Sequence, residues 1–204
     1  MDRWAEGCAA IAGADPALAT VVARHGPCTL APRRGMVAFA ALARAICYQQ
    51  LAGAAAAAIH GRFAALYGGR PTPDAVAATP EEDLRAAGLS AAKTAAIRDL
   101  ATKMLDGTVP QSGWGRLSDE AIVQRLVAVR GVGPWTAQMF LIFQLARPDV
   151  WPTGDLGVRV GYGRIHGLAA PPTPAELGRI GEAYRPFRTL AAWYCWRAVD
   201  EVSL

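Results

Sequence analysis

Apolar residues along most of the chain recur every three or four positions and do not alternate with polar ones, the periodicity of helices that bury one face. Between turn signals, no run of Val, Ile, Thr and aromatic residues alternates long enough to predict a sheet. The pattern predicts helices at 16–24, 36–67, 80–87, 90–106, 118–128, 134–146, 156–166, 174–184 and 187–199. The expected fold class is all-α, without a long linker or an internal repeat.

Several of the predicted helices begin or end at residues with a local capping preference. Asp15 precedes Pro16, which suits a first helical position because its missing N–H would have no partner there. Thr79 is expected to cap the acidic first turn of the helix 80–87. The pair Gly68-Gly69 is expected to close the long alanine-rich helix 36–67.

Two glycines separated by one residue interrupt the helical pattern at 126–137, which reads LVAVRGVGPWTA. Gly131 and Gly133 permit a tight turn, and Pro134 suits the first position of the next helix. Bare backbone N–H groups at a helix start, together with the positive end of the helix dipole, can bind a phosphate oxygen. A plain helical hairpin uses glycine in the same way, so this segment alone leaves both interpretations open.

A second informative residue is Asp155, at the start of the predicted helix 156–166. Its local interpretation is an N-cap, a position that aspartate favours. A fixed carboxylate near a phosphate-binding hairpin can also stabilise the positive charge that develops on a deoxyribose as its base departs, or orient a water molecule.

Composition narrows the class of protein. The chain has 204 residues, 52% hydrophobic and 19% charged, enough apolar material for one domain or two small lobes and too much for wholesale disorder. The net charge of +4 is compatible with a polyanionic partner without requiring one. The cysteines at 8, 28, 47 and 195 form no CxxC pair, which argues against a disulfide scaffold, a zinc knuckle and a clustered iron–sulfur site.

The N-terminal residues lack the basic start and apolar run of a signal peptide. The most apolar stretch, 51–59, is too short to span a bilayer. We therefore expect a cytoplasmic protein with reduced thiols, no membrane partner and a monomeric state.

Five motifs in order resemble the helix-hairpin-helix DNA glycosylases, specifically the DNA-3-methyladenine glycosylase II family of the AlkA type. The motifs are AICYQQL at 45–51, GLSAAK at 88–93, the hairpin at 126–137, WPTGDL at 151–156, and the segment 184–197. The resemblance spans about residues 25–196. It implies one glycosylase domain over 1–204 with two helical lobes, at about 36–147 and at about 1–35 plus 148–204. The active site is expected in the cleft between them.

The same resemblance implies roles for individual residues. Asp155 takes the position of the catalytic aspartate. Trp135 and Trp196 match aromatic walls of the base pocket, although packing in a core is the ordinary role of large aromatics. Met139 stands where the longer AlkA-type enzymes have an aromatic pocket residue, and it leaves the preferred lesion open.

The resemblance also implies the groups that contact DNA. Gln50 is expected to enter the space left by a flipped nucleotide, with Gln49 supporting the same loop. The phosphate-binding hairpin is expected to use Gly131, Val132 and Gly133. The carbonyls of Val127, Val129 and Val132 are expected to hold a monovalent cation, Na⁺ or K⁺, and no other cofactor is expected. Candidate phosphate contacts among the basic residues are Arg33, Arg34 and Lys93.

Trp135 narrows the expected chemistry. Bifunctional members of the superfamily have a lysine at this position that attacks the sugar, and an indole cannot form the Schiff base. We therefore expect a monofunctional enzyme that releases the base with water and leaves an abasic site. An indole face also suits a cationic alkylated purine, which gains roughly 0.5–2 kcal/mol from such a contact.

The expected function is a DNA N-glycosylase of base excision repair that flips and releases alkylated bases, such as 3-methyladenine and 7-methylguanine, from double-stranded DNA. Two alternatives stay open. One is a non-catalytic module that binds damaged DNA through the hairpin. The other is a glycosylase for a mismatched or oxidised base. The chain is also expected to be a short form of its family, without the extra N-terminal lobe of the longer enzymes.

Overall fold

The computed structural model describes residues 4–32, 37–51 and 53–200, and within them the protein is all-helical, as predicted. The α-helices are α1 (Ala5–Ala14), α2 (Pro16–His25), α3 (Ala38–Tyr48), α4 (Gly53–Ala65), α5 (Pro73–Ala78), α6 (Glu81–Ala86), α7 (Ala91–Leu105), α8 (Asp119–Val127), α9 (Pro134–Met139), α10 (Leu156–Ile165), α11 (Pro174–Ile180) and α12 (Arg188–Asp200). Short 3₁₀ turns lie at Trp114–Arg116 and Gly181–Tyr184, and a π-helical turn at Phe140–Gln144 continues α9.

The single helix predicted over 36–67 is wrong. The stretch contains two helices, α3 and α4, and the chain turns between them at Gln50, whose backbone has a left-handed φ of 55°. The alanine-rich composition favours helix throughout, so local propensity does not reveal the turn. Tertiary contacts of the loop, including the hydrogen bond from Gln49 to the carbonyl of Gly131, override that propensity.

Two helices were missed, and one cap was assigned to the wrong residue. α1 and α5 were not predicted, although Thr72 caps α5 by accepting a hydrogen bond from the amide of Ala75. Thr79 does not cap α6; Pro80 occupies that position. Thr79 is instead the C-cap of α5, and its hydroxyl donates to the carbonyl of Ala75 at 2.7 Å.

The chain divides into two compact units, and the first joins Met1–Pro32 to Leu141–Leu204. Its centre is the pair α10 and α12, which pack closely because Gly161 has no side chain. A Cβ added there would lie 2.0 Å from the carbonyl oxygen of Cys195. Asp15, buried, caps α2 and accepts a hydrogen bond of 2.6 Å from the hydroxyl of Tyr184. This hydrogen bond to a buried carboxylate joins the N-terminal and C-terminal segments that form the unit.

The second unit is Arg33–Phe140. α3 and α7 pack together and supply much of its core, including Phe39, Leu42, Ile97 and Leu100. α5 packs on another part of α7. This unit carries the Gly131–Gly133 turn, whereas the first unit carries Asp155.

Candidate functional site

The Gly131–Gly133 turn has the hairpin form that the glycine spacing predicts. α8 ends at Val127, and α9 begins at Pro134 with Gly133 as its N-cap. Gly131 has a φ of 74°, a left-handed conformation that glycine adopts without strain and most other residues do not. Val129 and Val132 are buried and anchor the turn to the unit's core.

Two side chains from other elements hold this turn. The amide of Gln49, just after α3, donates to the carbonyl oxygen of Gly131 at 3.0 Å and lies 3.3 Å from the hydroxyl of Thr136. The carboxylate of Asp99, in α7, accepts a hydrogen bond of 2.7 Å from the backbone N–H of Arg130. Hydrogen bonds therefore hold the turn both to the end of α3 and to α7.

The charge of Asp99 is stabilised in this position. Burial opposes ionisation, but the hydrogen bonds from the Arg130 amide and from the ammonium of Lys103, 2.6 Å away, outweigh it. The pKa of the Asp99 carboxyl is consequently lowered. A charged acceptor makes the stronger hydrogen bond to the turn.

The amides of the turn differ in their availability. The N–H of Val132 donates to the carbonyl of Val129 at 3.0 Å, so it is already engaged inside the turn. Within the described residues, the amides of Gly131 and Gly133 make no hydrogen bond. Of the three residues predicted to bind phosphate, the two glycines present the open donors.

A cavity of about 450 Å³ lies beside the turn, entirely within the second unit. It is lined by Ala45, Tyr48, Gln49, Gln50, Gly131, Trp135, Thr136 and Met139. The structure thus brings together Trp135, Met139 and the glutamine pair that the resemblance singled out. Trp135 is 48% exposed, which excludes an ordinary core role for its indole.

Tyr48 lines this cavity and was given no role from the sequence. The guanidinium of Arg44 lies 4.2 Å from the centre of its ring, and His60 is tilted against it at 6.1 Å. Burial, and secondarily Arg44, lower the pKa of His60. The only sequence signal for Tyr48 was its place next to Gln49 in the first motif, since a lone tyrosine near the end of a helix has no distinctive spacing.

The loop after α3 carries exposed side chains. Gln50 is exposed in its left-handed conformation, and the neighbouring Leu51 is 40% exposed. Lys93, expected as a phosphate contact, donates at 2.6 Å to the carbonyl of Cys47 in the last turn of α3. Its ammonium stabilises the negative end of that helix. Arg33 and Arg34 lie outside the described residues.

In the first unit, Asp155 is the N-cap of α10, as predicted. Its Oδ1 atom accepts a hydrogen bond of 2.9 Å from the backbone N–H of Val158 and another of 2.9 Å from the indole N–H of Trp196. Only 8% of Asp155 is exposed, whereas the adjacent Leu156 is 64% exposed. The carboxylate is therefore held in one orientation beside an open apolar surface.

Trp196 belongs to the first unit, and the cavity that Trp135 lines belongs to the second. Within its own unit Trp196 is partly buried against Phe143, with ring centres 5.4 Å apart and planes inclined by 31°.

Among the described residues, no cluster of three His, Cys, Asp or Glu side chains could hold a metal ion. Nor does any helix in the same ranges have the length and apolar character needed to cross a membrane.

Comparisons with known proteins agree with this geometry. The sequence profile of the HhH-GPD superfamily base excision DNA repair proteins matches residues 43–186. DNA-3-methyladenine glycosylase 1 of Schizosaccharomyces pombe is 40% identical over 159 residues, which are 76% of this chain and 70% of that protein.

Two solved structures are similar over nearly the whole chain. The structure of the S. pombe 3-methyladenine DNA glycosylase in complex with abasic DNA has a TM-score of 0.85 at 35% identity and covers 98% of both chains. A DNA-3-methyladenine glycosidase of Bacillus halodurans has a TM-score of 0.87 at 28% identity, over 100% of this chain and 93% of that one. The chain belongs to the HhH-GPD superfamily of base excision DNA repair proteins, as the order of its sequence motifs predicts.

Proposed function

We propose that this protein is a monofunctional DNA N-glycosylase that removes alkylated bases from double-stranded DNA and leaves an abasic site. The observation that carries the proposal is Trp135, whose half-exposed indole lines a cavity directly after the hairpin turn. The names of its relatives support the same activity, since they are 3-methyladenine glycosylases.

DNA is bound through its backbone at the hairpin. The open amides of Gly131 and Gly133 lie in the turn that leads into α9, near the helix end whose dipole favours a phosphate oxygen. Such contacts position a duplex without reading its sequence, as a repair enzyme requires. They also explain why a net charge of only +4 suffices, because neutral amides contribute donors without adding charge.

The flipped base enters the cavity lined by Trp135, Tyr48 and Met139. An alkylated purine such as 7-methylguanine carries positive charge, which is attracted to the indole face by roughly 0.5–2 kcal/mol. Met139 has a flexible, polarizable side chain that adapts to bases of different outline. The pocket therefore favours cationic lesions without demanding one shape.

The space left in the duplex is filled by the loop after α3. Gln50 and Leu51 are both exposed there. Apolar side chains that enter a base step separate its stacked bases, and a leucine serves this purpose better than an amide alone. We therefore assign the wedge to the pair.

Asp155 supports the chemical step. The C1′–N bond breaks with its electron pair passing to the base, and the carboxylate stabilises the positive charge that develops on the sugar. A water oxygen then bonds to C1′ and its proton goes to solvent. A cationic base is a good leaving group, so no strong general acid is needed. Trp135 offers no amine, so no Schiff base and no strand cleavage follow.

The carbonyls of Val127, Val129 and Val132 remain our proposed site for a monovalent cation. Val127 ends α8, where helix carbonyls lack partners and carry partial negative charge. The Val129 carbonyl accepts one hydrogen bond from Val132 and retains a second lone pair. Exchanging K⁺ for Li⁺ at constant ionic strength should weaken binding to an abasic duplex; unchanged affinity would argue against the site.

The activity is tested on duplexes that contain 3-methyladenine or 7-methylguanine, with free base and abasic sites counted for the wild type and Asp155→Asn. Asparagine caps helices as well as aspartate, so α10 should keep its start while the negative charge is lost. We expect release by the wild type and a strong loss in the variant. Asp74→Asn, a change at an exposed carboxylate in α5, is the matched control.

The possible outcomes separate the alternatives. Tight binding without base release by the wild type would favour the non-catalytic module. Release of a mismatched or oxidised base in preference to alkylated ones would place the protein with another lesion. A covalent adduct trapped by borohydride would refute the monofunctional mechanism.

A further inference from the structure

Two hydrogen bonds converge on one oxygen of Asp155. The Val158 amide comes from the first turn of α10, as in any N-cap, but the Trp196 indole comes from α12, 41 residues along the chain. Both distances are 2.9 Å. A cap needs only the first bond, so the second must be explained by something beyond the start of the helix.

Gly157 makes the second bond geometrically feasible. A Cβ added at this position would lie 2.9 Å from Cδ1 of Trp196, 3.1 Å from its Nε1 and 3.1 Å from Oδ1 of Asp155. The indole therefore occupies the space that a side chain at Gly157 would take. The crowding involves both partners of the hydrogen bond, so any larger residue must push them apart.

The backbone of Gly157 does not itself call for glycine. It lies within the first turn of α10, and its φ is not among the positive values of the chain. Alanine is the better helix former at such a position. Helix propensity thus favours alanine, whereas the nearest atoms that oppose it belong to the indole of Trp196 and the carboxylate of Asp155.

Phe143 also contacts the indole of Trp196. Its ring packs against Trp196 with ring centres 5.4 Å apart, and this packing limits the rotation of the indole. A donor that cannot turn away holds the carboxylate plane steady, and a group already in place spends no free energy on reorganisation during the reaction.

We infer that Trp196 is a positioning residue for Asp155, acting through its indole N–H, and that Gly157 is the residue that admits it. The inference rests on the proposed role of Asp155 in base release. Trp196 thus differs from the aromatic wall that the sequence resemblance implied, since its polar edge and not its face contributes to the reaction.

Trp196→Phe tests this directly. Phenylalanine keeps an aromatic ring beside Phe143 and removes the donor. We expect kcat for base release to fall roughly ten- to a hundredfold, the value of a hydrogen bond to a charged group, while KM and the affinity for an abasic duplex change less than about twofold. Trp193→Phe, one turn earlier in α12, is the matched control, because no hydrogen bond of the Trp193 indole is found within the described residues.

Gly157→Ala provides an independent test that leaves the indole of Trp196 intact. We expect kcat to fall by a similar factor while the melting temperature changes little, since the helix propensity of alanine offsets part of the cost of displacing the indole. Gly178→Ala, in α11, has no neighbour closer than 3.8 Å and should leave kcat unchanged.

The outcomes distinguish this inference from the function on which it rests. If Asp155→Asn is fully active, the role of Asp155 itself fails. If Asp155→Asn is inactive but both Trp196→Phe and Gly157→Ala retain wild-type kcat, the positioning inference alone is overturned. A rise in KM at constant kcat in Trp196→Phe would return Trp196 to a wall that contacts the base.

Discussion

The side-chain amide of Gln49 donates a hydrogen bond to the carbonyl oxygen of Gly131, 82 residues later in the chain. The contact joins the loop between α3 and α4 to the turn between α8 and α9. In the proposed function one of these loops enters the duplex and the other holds a phosphate of the DNA backbone. The side chain of Gln49 therefore helps to fix the distance between the two loops.

Replacement of Gln49 by alanine should weaken binding to an abasic duplex by about five- to tenfold, because the turn loses the side-chain hydrogen bond to the carbonyl of Gly131. Fluorescence anisotropy measures the change. Gln124→Ala, at an exposed position in α8, should bind like the wild type. Equal affinity of Gln49→Ala and Gln124→Ala would mean that the turn keeps its shape without this bond.

The hydrogen bond from the Arg130 amide to the carboxylate of Asp99 should make the stability of the hairpin turn pH-dependent. The pKa of the Asp99 carboxyl is lowered in the folded protein, so its contribution is present above the unfolded value of about 4 and is lost as the pH falls through the folded value. Asp99→Asn should therefore be less stable than the wild type at pH 7, and the gap should close below about pH 4.

Thermal melting of both proteins between pH 7 and pH 3 measures this gap, with Asp74→Asn as the control carboxylate. A difference in melting temperature that stays constant over the whole range would show that the charge of Asp99 has no part in holding Arg130.

Trp135 should affect base release more than DNA binding. In Trp135→Leu the pocket keeps an apolar wall but loses the indole face, so release of 7-methylguanine should fall by about tenfold. Affinity for an abasic duplex, which presents no base to the pocket, should stay within about twofold. A parallel loss of abasic affinity would instead assign Trp135 to the DNA backbone.

Gly161 is expected to be the most sensitive glycine of the first unit. The Cβ of Gly161→Ala would overlap the backbone carbonyl of Cys195, and a backbone atom cannot turn aside as a side chain can. The free energy of unfolding should fall by about 1–3 kcal/mol, in spite of the better helix propensity of alanine. Denaturant unfolding provides the value, and Gly13→Ala, with open space around it in α1, should be neutral or stabilising.

Features that depend on a few neighbouring residues could be predicted from the sequence. Asp15 and Asp155 were identified as N-caps because a cap contacts amides within three residues. The Gly131–Gly133 turn was evident for the same reason, since its glycines and Pro134 act locally. Together with the order of the motifs, these signals were enough to identify the all-α class and the family.

Tertiary structure decided the rest, where the partners are distant in sequence. The alanine-rich stretch 36–67 reads as one helix, and it breaks at Gln50 beside a loop whose Gln49 is bound to the hairpin. Lys93 was a candidate phosphate contact, and its ammonium donates to the carbonyl of Cys47. Helix propensity predicts neither the break at Gln50 nor the partner of Lys93, because the free energy that favours each comes from contacts that exist only after folding.

By itself, the sequence determined the all-α class, most of the helical segments, the caps at Asp15 and Asp155, the hairpin turn, and the family to which the chain belongs. Only the tertiary structure placed Tyr48 in the cavity beside Trp135 and gave the indole of Trp196 to Asp155. The physical reason is range. Caps and turns depend on hydrogen bonds between neighbours in the chain, whereas a cavity wall or a positioned carboxylate depends on packing between helices far apart in sequence.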